Sequence, residues 1–233
     1  MLSTAEMWVA ACLSGDKVLQ EVFTSGGDFH SAVAHKVFKL PCEVSKVKEL
    51  YGKQRTGAKA VSFGILFGAG KKKIAETADI PESEAEDVIS DYFRTFYRLK
   101  SWMDSRLQFI KTYGSTYSVF GRKRRLKNVF SDNREVVGHA TRSGFNFEIQ
   151  SVASDINLLA ATELQQWIKS NNKDIKIFAL VHDSIVAEVR EDLVEEYCIM
   201  MKLFTQKDRG IMIPGCPIGV DQEIGDTYAF DKD

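Results

Sequence analysis

The chain has 233 residues, of which 44% are hydrophobic and 27% charged, with a net charge of −1. This is the balance of a chain that buries a core. It neither requires nor forbids nucleic acid, because a nucleic-acid binder needs its positive charge gathered on one face and totals do not report that. No apolar run approaches the roughly 20 residues of a membrane span, and the N-terminus lacks a basic-then-apolar leader pattern, so a cytoplasmic protein with no membrane partner is expected. Cys12, Cys42, Cys198 and Cys216 show no paired CxxC spacing, and reduced structural thiols are expected.

In chain order, residues 1–23 carry apolar side chains at helical spacing, including Met7, Ala10, Ala11, Val18 and Val22. Gly26-Gly27-Asp28 breaks this stretch, and a short helix is predicted over about 29–39. A helix follows from Lys53 to Phe67. Pro81 with Glu82 and Glu84 opens a long amphipathic helix, since proline suits a first turn and acids complement the helix dipole there. Its apolar side runs through Val88, Ile89, Tyr92, Phe93 and Phe96. Helix resumes across Leu99–Ile110, and Gly114 ends it. Residues 115–130 read as a hairpin with a basic tip, Gly121-Arg122-Lys123-Arg124-Arg125. Two helices are predicted over 134–149 and 151–170, divided by a change of apolar face. Ile175–Val181 and Ile185–Val189 are β-branched runs joined by His182-Asp183-Ser184, the pattern of a β-hairpin. A helix at 192–206 and a short strand near Pro217–Val220 close the chain. The fold class expected is α+β, a helical middle inserted between pieces of a small antiparallel sheet.

Three constellations carry possible chemistry, and each also has a bland reading. Arg55, Lys59, Phe63 and Phe67 stand four apart and share a slowly drifting helix face. Two cations followed by two aromatics suit a nucleoside triphosphate, phosphates at one end and sugar and base at the other; the bland reading is a solvated face. Gly64, Gly68 and Gly70 cluster nearby at a helix-weakening cost of roughly 1 kcal/mol each relative to alanine, which suits a helix that must swing or let another chain approach its backbone. Asp183 stands at a strand junction, where a rigid carboxylate could hold a divalent metal for phosphoryl transfer; the bland reading is an ordinary aspartate turn. Arg142, Asn146 and Gln150, again four apart, could hydrogen-bond acceptors along a duplex minor groove, whose acceptors hardly distinguish the base pairs; the bland reading is a polar surface.

Taken together and in this order, these motifs resemble family A (polymerase I-like) DNA polymerases. Arg55-Thr56-Gly57-Ala58-Lys59-Ala60-Val61-Ser62-Phe63-Gly64-Ile65-Leu66-Phe67-Gly68 resembles the fingers-helix motif R-x3-K-x3-[FY]-G-x2-Y-G. Ala179-Leu180-Val181-His182-Asp183-Ser184 resembles the metal-binding hairpin, commonly V-H-D-E. Arg142 to Gln150 resembles the groove-reading R-x3-N-x3-Q. Ser3-Thr4-Ala5-Glu6 is similar to the tail of D-x-S-x-x-E, and Asp28-Phe29-His30 to the following G-x-D-x-H.

The resemblance implies a palm of small antiparallel sheet and packed helices, with an inserted helical fingers subdomain. The palm and fingers would begin over 1–40, the fingers occupy 41–130 and the palm 131–233, with thumb and first palm strand missing. It implies template-directed DNA synthesis. Arg55, Lys59 and His30 would meet the triphosphate of a dNTP, and Phe63 its sugar and base, with Phe67 nearby. Glu6 would exclude a ribose 2′-hydroxyl. Arg142, Asn146, Gln150, Arg122 and Arg124 would contact primer–template DNA. Asp183 would bind two Mg²⁺ ions and His182 would pack beside the primer terminus.

Four positions depart from the pattern: Ser184 replaces Glu, Phe67 replaces Tyr, Trp8 replaces Arg, and Met1 stands in the register of the first catalytic Asp. The expectation is therefore a split or truncated enzyme of viral type, inactive alone, with an N-terminal polymerase fragment supplying thumb, palm strand and second Asp. Two alternatives stay open: a non-catalytic DNA- or nucleotide-binding remnant, and a single-subunit RNA polymerase relative, which Glu6 and Phe63 disfavour.

Overall fold

The computed structural model describes residues 2–227. They divide into two compact units. One, here the helical unit, comprises residues 6–151 and 213–216. The other, the sheet unit, comprises the described residues of 1–5, 152–212 and 217–233. The α+β class expected from the sequence is observed.

The helical unit opens with α1 (Ala5–Ser14) and α2 (Lys17–Thr24), where a single helix was expected over 1–23. The break has a local cause. Gly15 takes a positive φ of 61°, and Asp16 caps α2 by accepting from the Leu19 N–H at 3.1 Å. α3 (Phe29–Phe38) is capped in the same way by Asp28. A short α4 (Val47–Leu50) leads into α5 (Gly52–Leu66), which packs against α3, α6 (Lys71–Ala78) and α7 (Glu82–Thr95). α6 was not foreseen. Pro81 does open α7, and α8 (Tyr97–Tyr113) ends at Gly114 with φ 58° as expected.

Between α7 and α8 no glycine or proline marks a break, yet Phe96 leaves helical geometry. The freed N–H groups of Arg98 and Leu99 donate to Asp16 Oδ2 at 3.1 and 3.0 Å. One carboxylate, only 1% exposed, thus caps two helices far apart in sequence.

The predicted hairpin forms from β2 (Ser115–Tyr117) and β3 (Lys123–Arg125), but its basic residues are placed differently. Lys123, Arg124 and Arg125 lie on the strand, and the turn is made by residues 118–122. The two helices expected over 134–149 and 151–170 are one, α9 (Arg134–Ser170). The change of apolar face is real and has another meaning: residues up to 151 belong to the helical unit and those from 152 to the sheet unit. Gly144 belongs to a close approach rather than a break, since a Cβ there would fall 2.3 Å from Leu126 Cδ1.

In the sheet unit, β4 (Ile175–Val181) and β5 (Ser184–Val189) form an antiparallel hairpin with a bulge at Phe178. Its core is Leu164, Ile168, Ile175 and Tyr197, with Trp167, Met201 and Phe204 packed against it from α9 and α10 (Val194–Thr205). β6 (Gly219–Val220) pairs antiparallel with β1 (Leu2–Ser3). Glu163 on α9 binds Arg209 and Lys207 beyond α10, and these cations, Arg209 above all, hold its carboxyl down to about 2. No helix among the described residues is long and apolar enough to cross a membrane.

The double cap at Asp16 gives a direct test. Asp16→Ala leaves three backbone N–H groups, two of them buried, without their acceptor, and thermal or denaturant unfolding should show a loss of roughly 2–4 kcal/mol. Asp16→Asn should recover only part of it, because an amide nitrogen cannot accept from Arg98 and Leu99 while its oxygen serves Leu19.

Candidate nucleotide and metal site

Helix α5 is two-faced. Gly57, Ala58, Val61, Ile65 and Leu66 are buried, while Arg55 and Phe63 are half-buried and Lys59 and Phe67 exposed. The stripe picked out by spacing is therefore one accessible face, with Phe67 just beyond the last helical turn as C-cap. The small buried residues let α3 approach, and α3 brings His30 to the stripe: its ring centroid lies 5.4 Å from that of Phe63. His30 is buried, and burial pushes its pKa down from 6.5; Asp28 opposes the shift and Arg55 and Lys59 add to it. The ring is accordingly neutral at pH 7, and its buried Nδ1 has no hydrogen-bond partner.

The structure adds a residue whose role the sequence did not show. Asp28 accepts from Arg55 Nε at 2.7 Å and Nη2 at 3.0 Å, so one cation of the stripe is already held by a carboxylate. Hydrogen bonding to Arg55 drives the Asp28 carboxyl well below the usual carboxylate range and raises the Arg55 pKa in return. The G-x-D-x-H pattern marked Asp28, but only the fold brings it to Arg55, 27 residues away.

Packing within the unit explains two of the three glycines clustered here; a Cβ on the third, Gly70, would meet nothing within 4 Å. Gly64 makes room for Ile74, to whose Cγ1 a Cβ would come within 3.0 Å. Gly68 has φ 70°, and a Cβ on it would fall 2.2 Å from Arg142 Cδ. The stem of Arg142 thus lies over the end of α5. Arg142 and Gln150 are exposed on α9, and Asn146 between them is half-buried with its Oδ1 lacking a partner. Glu148, within the same motif, points the other way. It is buried and binds Arg106 at 2.7 Å together with Thr116, locking α9 to α8 and β2. Arg124 lies along α9, donating to Ser143 Oγ at 2.9 Å with its guanidinium over the Phe147 ring, while Arg122 is exposed at the turn. Glu6 stands half-buried in the first turn of α1. Trp8 is a core residue whose Nε1 donates to the Cys216 carbonyl at 3.0 Å.

In the sheet unit, His182 and Asp183 form a two-residue loop between β4 and β5, and His182 takes a left-handed φ of 53°. The tight loop fixes the half-buried Asp183 against a cleft of about 520 Å³ that Asp221 and Glu223 also line. Carboxylate oxygens are hard donors that suit Mg²⁺. Among the described residues no three or more potential ligands converge as a complete metal site. Met1, which the motif resemblance aligned with a catalytic Asp, lies outside the described residues.

Comparison with known proteins agrees with the motif order. The family model for DNA polymerase family A matches residues 2–230. The chain belongs to DNA polymerase family A. It is 44% identical to the DNA polymerase of Escherichia phage T5 over 95% of this chain and 29% of that protein. It is 34% identical to the thermostable DNA polymerase I of Thermus filiformis over 86% of this chain and 23% of that one. Among solved structures, the POL domain of Pol1 from M. smegmatis, in complex with DNA primer-template and dNTP, superposes with a TM-score of 0.79 at 31% identity. That match covers 88% of this chain and 35% of the other. The chain thus spans less than a third of the length of the two curated relatives.

The pKa of His30 provides a check on the site's electrostatics. An NMR titration should place it below 6.5. A histidine whose folded pKa is depressed favours the unfolded chain once pH falls below the unfolded value. Stability should therefore drop as pH falls below about 6.5, and His30→Gln should flatten that part of the profile.

Proposed function

We propose that this chain forms the fingers and palm portion of a DNA polymerase that adds dNTPs to a primer 3′ end on a DNA template. The observation that carries this reading is the accessible face of α5, where Arg55, Lys59 and Phe63 stand in family order with His30 against them. Lys59, exposed and without an ion-pair partner among the described residues, supplies net positive charge to the triphosphate. Arg55 supplies a directed guanidinium. Phe63 offers a flat apolar surface to the sugar and base, and His30 backs that ring in its neutral form. Glu6 excludes a 2′-hydroxyl by bulk. Arg142, Asn146 and Gln150 face the minor groove of the primer–template, and Arg122 and Arg124 its backbone. His182 packs beside the primer terminus.

Asp183 would hold Mg²⁺, with a second aspartate from a thumb-and-palm segment outside the described residues. When bound, two such ions stabilise the attacking and leaving oxygens of phosphoryl transfer. One hairpin carboxylate held in a tight loop is half of that arrangement, which is why we infer that activity depends on the additional segment. A separate N-terminal polymerase fragment, as in a split phage enzyme, would meet this need, and one continuous polypeptide would do so equally.

Primer extension with the complete assembly tests the assignment. Lys59→Ala should lower incorporation on the order of 10²–10³-fold, as for loss of one transition-state stabiliser. Asp183→Ala should abolish extension while DNA binding persists. Unchanged incorporation by Lys59→Ala would remove α5 from the nucleotide site. Robust extension by this chain without the thumb-and-palm segment would refute the dependence on it.

Sugar selection should be divided between two side chains. Phe63→Tyr should relax discrimination against dideoxynucleotides, because a phenolic hydroxyl replaces the missing 3′-hydroxyl. Glu6→Ala should relax discrimination against ribonucleotides alone. Competition assays with the two analogue classes separate these effects.

A further inference from the structure

We infer that Asp28 is a positioning residue for nucleotide binding, presenting Arg55 to the triphosphate with its guanidinium turned so that the outer edge faces the ligand. The inference rests on the reading of α5 as the triphosphate-binding helix. Its support is geometric. Asp28 takes the Nε and Nη2 edge of Arg55 with both carboxylate oxygens, at 2.7 and 3.0 Å. A guanidinium has five N–H groups in a rigid plane, so a carboxylate on this edge leaves both hydrogens of Nη1 and one of Nη2. Among the described residues nothing bonds Nη1. That outer edge is the one a phosphate can grip with two parallel hydrogen bonds.

Asp28 is itself immobilised. As N-cap of α3, its Oδ2 accepts from the Ser31 N–H at 2.9 Å and the Ser31 hydroxyl at 2.6 Å. The same helix carries His30 two residues on, so α3 sets the positions of both Arg55 and the ring that backs Phe63. The two side chains are partly exposed, 23% for Arg55 and 41% for Asp28, as a pair on the rim of a ligand site must be. An unpaired arginine would lose most of its side-chain freedom on gripping a phosphate, and Asp28 imposes that loss beforehand. Arg55 and Asp28 together carry no net charge, so charge attraction falls to Lys59 and direction to Arg55.

Simple electrostatics gives the opposite sign, which makes the inference testable. Removing a negative charge beside a phosphate site should tighten binding if Asp28 were only a competing anion. If it were only a helix cap, asparagine, an equally good N-cap, should leave nucleotide affinity as it was. Positioning demands weaker binding. The experiment is single-nucleotide incorporation of dTTP opposite adenine by the polymerase assembled with its thumb-and-palm segment, separating the apparent Kd for dTTP from the maximal rate. Asp28→Asn should raise that Kd roughly tenfold, the loss expected for one charge-assisted orientation, with primer–template affinity unchanged. In an Arg55→Ala background the same substitution should add nothing. If Asp28→Asn leaves the Kd unchanged or lowers it while Arg55→Ala raises it, Asp28 does not position Arg55 and the inference is overturned. If Arg55→Ala itself leaves the Kd unchanged, α5 is not the triphosphate helix, and the underlying reading falls with it.

Discussion

Helix α5 can offer one face to a ligand only because its other face consists of residues small enough to be covered from three sides. Gly57, Ala58, Ala60 and Val61 present little bulk, so α3, α6 and α7 approach closely. Two features of the proposed nucleotide site follow from that closeness. α3 comes near enough for Asp28 to reach Arg55 and for His30 to reach Phe63. The cost is a helix of weak intrinsic propensity: glycine at 57 and 64 and β-branched Val61 and Ile65 hold their shape through tertiary packing more than through local preference. Stability and the placement of Asp28 and His30 thus rest on the same set of contacts, and enlarging Ala58 or Ala60 would disturb both.

Buried polar groups supply the geometric precision that apolar packing lacks. Asp16 joins the start of α2 to the start of α8. Glu148, with Arg106 and Thr116, joins α9 to α8 and β2. Such groups add less to net stability than their number of bonds suggests, because each was hydrated before folding. Their strength is directional: a helix held by a buried carboxylate cannot slide or rotate without leaving that charge unpaired. α8 and α9 are held in this way, and the face of α9 that carries Arg142, Asn146 and Gln150 inherits the alignment.

Much of this was legible in the sequence. Local signals are strong where backbone chemistry is local: Pro81 before α7, Gly114 after α8, Asp28 before α3, and the alternating β-branched runs around His182-Asp183. The four-residue stripe on α5 and the hairpin aspartate were visible because chemistry and periodicity coincide there. Much of what escaped was set by distant partners. The break at Phe96 has its cap 80 residues earlier, at Asp16. The continuity of α9 was hidden because its apolar face changes where it passes from one unit to the other. The basic run 122–125 suggested a tip, whereas pairing of Tyr117 with Lys123 puts most of it on a strand. Gly64 and Gly68 suggested motion or approach by another chain, and Ile74 and Arg142 of this chain fill the space. Spacing alone could not show that Asp28 meets Arg55.

The left-handed backbone at His182 bears on how this hairpin can drift over evolutionary time. A two-residue loop ties the strand ends so closely that the turn cannot relax, and residue 182 must accept a φ of 53° whatever its side chain. Valine, isoleucine and threonine are disfavoured there on steric grounds, while asparagine, aspartate, histidine and glycine enter that region at low cost. The repertoire at this position is therefore narrowed by the backbone before any contact with nucleic acid is considered. Invariance of histidine among relatives would testify to a role in binding only to the extent that asparagine and glycine, equally acceptable to the turn, are also absent.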